Sequence, residues 1–282
     1  NLVNLQTLYV RVGDGNTSCF DSTSVTLLLR VLPNPTPGQP DALELCDVND
    51  PGDGIEVFDL TQAAAQIQNG GSWDLDYYES YALALAGDVT TAIVDPTMYS
   101  NVVAGSDVVY VRVSFDRTDL AACFEIVELV LIVHDLPDAS VDISPYKVCE
   151  VGNDGRAIFD LTTKIEEILN GQDPLVHTVT FYEVPTDAQA GINPIVNTTG
   201  YENDGTPSPP GQELHVGILN TQTGCYIASA LDPVSGEYSL SFNLQVLEGA
   251  VATSPLEPYT ICDNTDPNDG FAIFDLTDPV LT

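Results

Sequence analysis

Basic residues are scarce in this chain. Seven Lys plus Arg stand against 42 Asp plus Glu, for a net charge of −35 over 282 residues. Such a surface repels phosphate backbones and anionic lipid, so nucleic acid is excluded as a partner and cations are attracted. The same charge keeps a long extracellular protein soluble. No run approaches the eighteen or more apolar residues that a spanning helix needs, which excludes direct membrane insertion. Asn1 leads directly into strand-like sequence rather than a signal peptide, so the expectation is a mature product or an internal fragment, the fragment being favoured. Catalytic signatures are missing too. There is no Gly-x-Ser-x-Gly elbow, phosphate loop or His-Glu-x-x-His, and the three histidines, His134, His177 and His215, fall at unrelated points. The expectation is a protein that is not an enzyme.

What is present is a folded composition, 44 % hydrophobic, organised as a repeat. Cys46-Asp47-Val48-Asn49-Asp50 leads to Gly54 and Phe58-Asp59-Leu60-Thr61; Cys149-Glu150 leads to Asp154-Gly155 and Phe159-Asp160-Leu161-Thr162; Cys262-Asp263 leads to Asp269-Gly270 and Phe274-Asp275-Leu276-Thr277. A second pattern, an alternating strand followed by a turn and a cysteine, recurs before Cys19, Cys123 and Cys225. The Phe markers Phe58 and Phe159 lie 101 residues apart and Cys19 and Cys123 lie 104 apart, so the unit is a whole domain. The expected organisation is the end of a repeat plus linker over 1–40, complete repeats over 41–138 and 139–255, and the start of another over 256–282. Prolines mark the connections as semi-rigid.

Within a unit, Val109, Val111 and Val113 alternate with Tyr110 and Arg112, and Ile126 to Val133 is long enough for a buried strand. Thr163 with Glu166 reads as a capping box, with Asn170-Gly171 as the stop, giving one short helix per unit. The fold class expected is all-β: tandem immunoglobulin-like β-sandwich domains, each with one short helical crossover.

The six cysteines contain no Cys-x-x-Cys pair, which turns the reading from zinc to disulfides and an oxidising compartment. Pairing within units, Cys46 with Cys123 and Cys149 with Cys225, has near-constant separations of 77 and 76; pairing across linkers has 27, 26 and 37. A strand of about ten residues after Cys123, at roughly 3.3 Å each, also carries the chain some 30 Å from the next unit's cysteine. The within-unit pairing is therefore expected, on the assumption that the first strand and the start of the last strand share one end of the sandwich.

The oxygen-rich opening loops suggest calcium. Candidate ligands are Asp47, Asn49, Asp50, Asp53 and Asp59, then Asn153, Asp154 and Asp160, then Asp263, Asp266, Asp269 and Asp275. The spacing is not that of an EF-hand, and an Asx turn at each Asp-Gly with an aspartate or threonine helix cap accounts for the same residues. Asn16 and Asn197 match N-glycan acceptors and Ser22 an O-glycan acceptor. Trp73 and Tyr201 are the aromatic candidates for stacking on a sugar.

The ordered set of Cys-Asp, Asp-Gly, Phe-Asp-Leu-Thr, Tyr-Tyr-Glu, Tyr-Val-Arg-Val and a cysteine opening the last strand resembles the repeats of very large surface proteins of Bacteroidota. Those are exported by the type IX secretion system and include gliding-motility adhesins such as SprB. The resemblance implies an extracellular, cell-surface location and a structural or adhesive role. The partners it implies are neighbouring repeats of the same chain and surfaces, glycans or like chains. A filament or sheath subunit and a carbohydrate-binding module are the alternatives.

Overall fold

The computed structural model describes residues 6–10, 12–13, 15–17, 20–21, 26–29, 31, 34–115, 123–150, 154–249, 258–263 and 269–275. Cys19, Ser22, Asn153 and Asp266 lie outside them. Two complete domains of one plan follow each other. In domain one the main sheet runs in the order Leu43–Cys46, Phe124–His134, Ser106–Ser114, Asp74–Tyr78. Val109, Val111 and Val113 alternate inward with no exposure, and Leu129 and Leu131 face the same core. A ladder of Val57–Phe58 with Tyr99–Ser100 and a helical segment cover that face through Phe58, Leu60, Ile67 and Tyr99. This is an immunoglobulin-like sandwich whose second layer is abbreviated.

Domain two repeats it with Tyr146–Cys149, Ser241–Leu247, Gln212–Asn220 and His177–Tyr182, plus the ladder Ile158–Phe159 with Tyr201–Glu202. Its last strand is broken. Tyr226–Ala228 pairs as the start of the domain-one strand does, and Ser241–Leu247 as its end. The register offset between domains grows from 102 residues at Ala228 to 113 at Leu244, so eleven residues are inserted. The insertion carries the Leu231–Tyr238 bridge.

Each domain has two α-helices where the sequence suggested one, and domain one adds a separate 3-10 turn at Val89–Thr91. The first is a 3-10 turn running into an α-helix: Leu60–Ala63 into Ala64–Gln68, and Leu161–Lys164 into Ile165–Leu169. Its cap is not Thr163. Asp160 accepts from Thr162 N at 3.1 Å, Asp59 accepts from Thr61 N at 3.0 Å, and Thr163 Oγ1 donates to the Asp160 carbonyl instead. The stop is as expected, with Asn170 left-handed at φ 47°. The second helices, Tyr81–Ala86 and Pro185–Ala190, are six residues long, too short for apolar periodicity to announce them.

These second helices rest on the sheet through an exchange of residues. In domain one, Arg112 Nη1 donates to the Ala84 carbonyl at 2.9 Å and its guanidinium lies 3.4 Å from the Phe124 ring centroid. By register the domain-two equivalents of Arg112 and Phe124 are Gly217 and Tyr226. The Tyr226 hydroxyl donates to the Ala188 carbonyl at 2.5 Å, and a β-carbon at Gly217 would overlap that hydroxyl. One phenol thus fills the space of a guanidinium and makes its bond. The same register aligns Tyr110 with His215, one position away from the simplest sequence alignment.

The proline linkers are tied to the domain they lead into. Gly38 N donates to the Ile67 carbonyl at 3.0 Å and Gln39 Nε2 to the Glu128 carbonyl at 2.8 Å. Asp138 N donates to Gln172 Oε1 at 2.9 Å, and Ser144 N to Glu167 Oε1 at 2.6 Å. Near the N-terminus, Gln6–Tyr9 pairs antiparallel with Thr26–Leu29, as Ser106–Ser114 pairs with Phe124–His134 in domain one.

Candidate functional site

The place where sequence elements from both domains meet is the junction between them. Cys46 ends the opening strand of domain one, which runs parallel to the last strand with Cys46 opposite His134. Beyond it, Asp47 N donates to the His134 carbonyl at 2.9 Å, so the strand end is fixed against the point where the chain leaves the domain. On the other side, a tight turn presents Cys225. Asn220 Oδ1 accepts from Gln222 N and Thr223 N, Gly224 adopts φ +77°, and Asn220 N returns to the Cys225 carbonyl at 2.8 Å. The left-handed position explains the glycine before the cysteine.

Cys46 and Cys225 are joined, with an S–S distance of 2.09 Å and Cα atoms 5.6 Å apart, across a sequence separation of 179 residues. The expected Cys46–Cys123 and Cys149–Cys225 pairings are corrected by this bond. The reason is strand direction. Because the first strand is parallel to the last, Cys46 lies beside His134 at the last strand's end, while Cys123 precedes Phe124 at its start. Eleven residues of strand, roughly 36 Å, separate those ends. That same travel brings the exit of domain one, and with it domain two, to Cys46. Among the described residues Cys149 and Cys262 are exposed thiols.

The linker completes the junction. Pro137 is buried, Asp138 Oδ1 accepts from Ser140 N at 2.8 Å, and Gln172 Nε2 donates back to the Asp138 carbonyl at 3.1 Å. A cavity of about 290 Å³ is lined by Asp47, Pro51 and Gly52 of domain one, by the linker from Asp135 to Ser140, and by Ile227 of domain two. Burial of Cys225 shields the bond on one side, whereas Cys46 is half-buried.

An inter-domain disulfide in a tandem pair is what the family comparison also describes. A profile for the Flavobacterium inter-domain disulphide bond domain matches residues 42–137 and 145–233. The chain belongs to this family. Its inter-domain disulphide bond (FIDD) domains are domains one and two above, of a Bacteroidota-type extracellular kind. No curated protein sequence matches the chain. Among solved structures, Drosophila N-cadherin EC1-4 aligns at 11% identity and TM-score 0.18, over 86% of this chain and 58% of that one, a likeness too low to carry an argument. No helix among the described residues is long and apolar enough to cross a membrane.

The acidic opening loops of the FIDD domains use their carboxylates on their own backbone. Asp47 is 1% exposed, and its Oδ2 accepts from Gly52 N at 2.7 Å and Gly54 N at 3.2 Å. Glu150 Oε2 takes Gly155 N at 2.7 Å, and Asp263 Oδ2 takes Gly270 N at 2.9 Å. The longer glutamate spans the loop that is two residues shorter. Asp53, Asp154 and Asp269 each form the Asx turn at Asp-Gly, to Ile55 N, Arg156 N and Phe271 N. Asn49 Nδ2 donates to Glu56, and Asp50 offers its carbonyl to Asp53 N. Asp59 and Asp160 are helix caps, and Asp275 lies in the described C-terminal stretch. Among the described residues no three His, Cys, Asp or Glu side chains gather to hold a metal. The Oδ1 atoms of Asp47 and Asp263 are buried without a hydrogen-bond partner.

Two residues that position this loop were missed. Asn101 Oδ1 accepts from Glu56 N at 2.7 Å and its Nδ2 donates to the Gly54 carbonyl; Asn203 does the same with Ala157 N and Gly155. The signal was a Tyr-x-Asn recurring at Tyr99 and Tyr201. Tyr201 is therefore the counterpart of Tyr99, and it is buried: Gln212 Nε2 donates to its hydroxyl at 2.7 Å, and the hydroxyl donates to Glu183 at 2.8 Å. Burial pushes its pKa up, with Glu183 adding to the shift. Trp73 is half-buried against Phe115, ring centroids 6.3 Å apart. Neither ring is an exposed sugar platform. Asn197 Nδ2 is bonded to the Gly200 carbonyl at 2.8 Å, and Asn16 sits in a turn. The histidines stand apart: His134 ends a strand against Glu44 at 2.7 Å, His177 opens one, and His215 is in the core bonded to Ser229 Oγ at 3.0 Å.

Proposed function

We propose that this chain is a structural, adhesive segment of a long extracellular bacterial surface protein, in which disulfides between consecutive FIDD domains hold the array in a fixed order and geometry. The observation that carries the reading is the Cys46–Cys225 bond. It joins domains that already follow each other in the chain, so its product is not a new connection but a restricted one. An enzyme gains nothing from such a restraint unless a site lies at the junction, and the junction residues are spent on backbone hydrogen bonds. A stalk that must project a distal part from a cell gains stiffness. Surface attachment through a C-terminal sorting domain, type IX export and a part in gliding or adhesion belong to this proposal, supported by the repeat motifs. The net charge of −35 suits a solvated, self-repelling array.

Small-angle scattering of the chain before and after reduction tests it. The oxidised pair should give one narrow distance distribution, and the reduced pair or Cys46→Ser a broader one with a longer maximum dimension. Identical distributions would mean that the bond restrains nothing.

A further inference from the structure

We infer that domain two carries a binding cleft for a neutral oligosaccharide, set between the linker at 139–143 and the inserted segment that domain one lacks. This goes beyond the proposed function, which needs no ligand site, and its failure would leave the scattering test of the disulfide-held pair untouched.

The cleft encloses about 670 Å³, within the roughly 300–1,000 Å³ of small-molecule sites. Two local differences from domain one open it. Asp41 N and Ser144 N donate to the equivalent helix residues Gln66 and Glu167, which aligns the two linkers and sets Asp142 where domain one has Gln39. Strand register likewise sets Ser241 where domain one has Glu128. Gln39 Nε2 donates to the Glu128 carbonyl at 2.8 Å and ties the linker onto the sheet. An ionised carboxylate has no proton to donate, so Asp142 cannot make that tie, and Asp142 and Ser241 both line the cleft instead.

The second difference is the insertion. It interrupts the strand that runs unbroken through Phe124–His134 in domain one and supplies the cleft wall at 236–239. Asp232 N donates to the Glu237 carbonyl and Ser239 N to the Ala230 carbonyl, both at 2.9 Å, and the Tyr238 ring packs edge-to-face with His215 at 4.9 Å. The wall is thus organised by its own contacts, which lowers the ordering cost of binding. An insertion confined to one repeat maps to loops on one face, often the binding face.

The lining selects the ligand. Asp142, Glu213 and Glu237 are acceptors, Ser241 and Asn243 add a hydroxyl and an amide, and Tyr238 adds a half-buried ring. Glu213 stands where domain one has Val108, and Ser241 Oγ donates to it at 2.6 Å. Among the described residues no Lys, Arg or His lines the cleft, so a phosphate, sulfate or uronate meets like charge without a counter-charge. A neutral sugar matches the pattern: its hydroxyls donate to the carboxylates in charge-assisted bonds, and its C–H face covers the phenol ring. A bare cation would use the carboxylates and leave the ring and the amide unengaged.

Isothermal titration of the oxidised chain tests the inference with maltotriose, cellotriose, xylotriose and mannotriose, and with trigalacturonate and spermidine as charged probes. At least one neutral trisaccharide should bind with a Kd of about 1 mM or tighter. Asp142→Gln, which installs the tie of domain one, should raise that Kd at least tenfold without lowering the melting temperature. If Asp142→Gln does destabilise the fold, Glu237→Gln on the exposed insertion should still weaken binding. No binding of any of the four sugars, or parental affinity in both variants, overturns the site. Tighter binding of spermidine or trigalacturonate that is lost in the same variants overturns the ligand class.

Discussion

The consequence of the junction that is easiest to measure is mechanical. Tension entering along Leu43–Cys46 reaches the sulfur of Cys46 before it reaches the rest of domain one. It then crosses to Cys225 and leaves along the Tyr226–Ala228 and Ser241–Leu247 strands. The chain between the two cysteines carries no load while the bond holds. With a separation of 179 residues, roughly 3.6 Å each, about 640 Å of contour length is hidden. In an optical-tweezers pull from the termini, the oxidised chain should give only short extensions, from segments outside the loop such as the last strand of domain two. After reduction, or in Cys46→Ser, the full ~640 Å should become accessible in domain-sized steps. The bond should also raise stability by about 5 kcal/mol on the chain-entropy model once both domains are unfolded, less where the unfolded chain retains structure. Domain-sized steps from the oxidised chain, with Cys46–Cys225 verified by mapping, would refute the force path.

Domain two should respond to acid in a way domain one does not. Burial holds the His215 pKa below its ordinary value, with Glu213 opposing, so the folded state prefers the neutral ring. Its contribution is present above pH 6.5 and is lost as pH falls through the depressed folded value. Melting of His215→Tyr, the residue domain one carries at that position, should fall less steeply between pH 7 and 5 than the parent, and parallel curves would count against the assignment. Tyr226→Phe should destabilise domain two by about 1 kcal/mol by removing the bond to Ala188. Gly217→Arg alone should destabilise it by overlap, and the double variant should recover part of that loss in a denaturant cycle; strict additivity would contradict the guanidinium-for-phenol exchange. Chelator should leave both domains' melting temperatures unchanged, because the loop carboxylates are held by backbone N–H groups. A fall of several degrees in domain one would instead assign a cation to the orphaned Asp47 Oδ1.

Much of this was legible in the residues because repetition reports on local structure. The alternation of Val109, Val111 and Val113, the Asp-Gly turns and the aspartate at each helix start encode interactions between residues a few positions apart, and each copy confirms the others. The domain-length period set the expected size of the repeating unit. The Gly217–Tyr226 exchange was not legible, because it links neighbouring strands whose register only the fold sets.

The cysteines divide the two kinds of information most clearly. Their number and recurring places, and the absence of metal spacing, determined that this chain builds disulfides, and strand travel already removed the short Cys123–Cys149 link. Which partners meet was decided by the parallel pairing of Leu43–Cys46 with Phe124–His134. Near-constant separation is equally compatible with a bond inside one repeat or between two. Only the direction of one edge strand tells whether Cys46 faces the start of the last strand or its end, and direction is a property of the folded sheet.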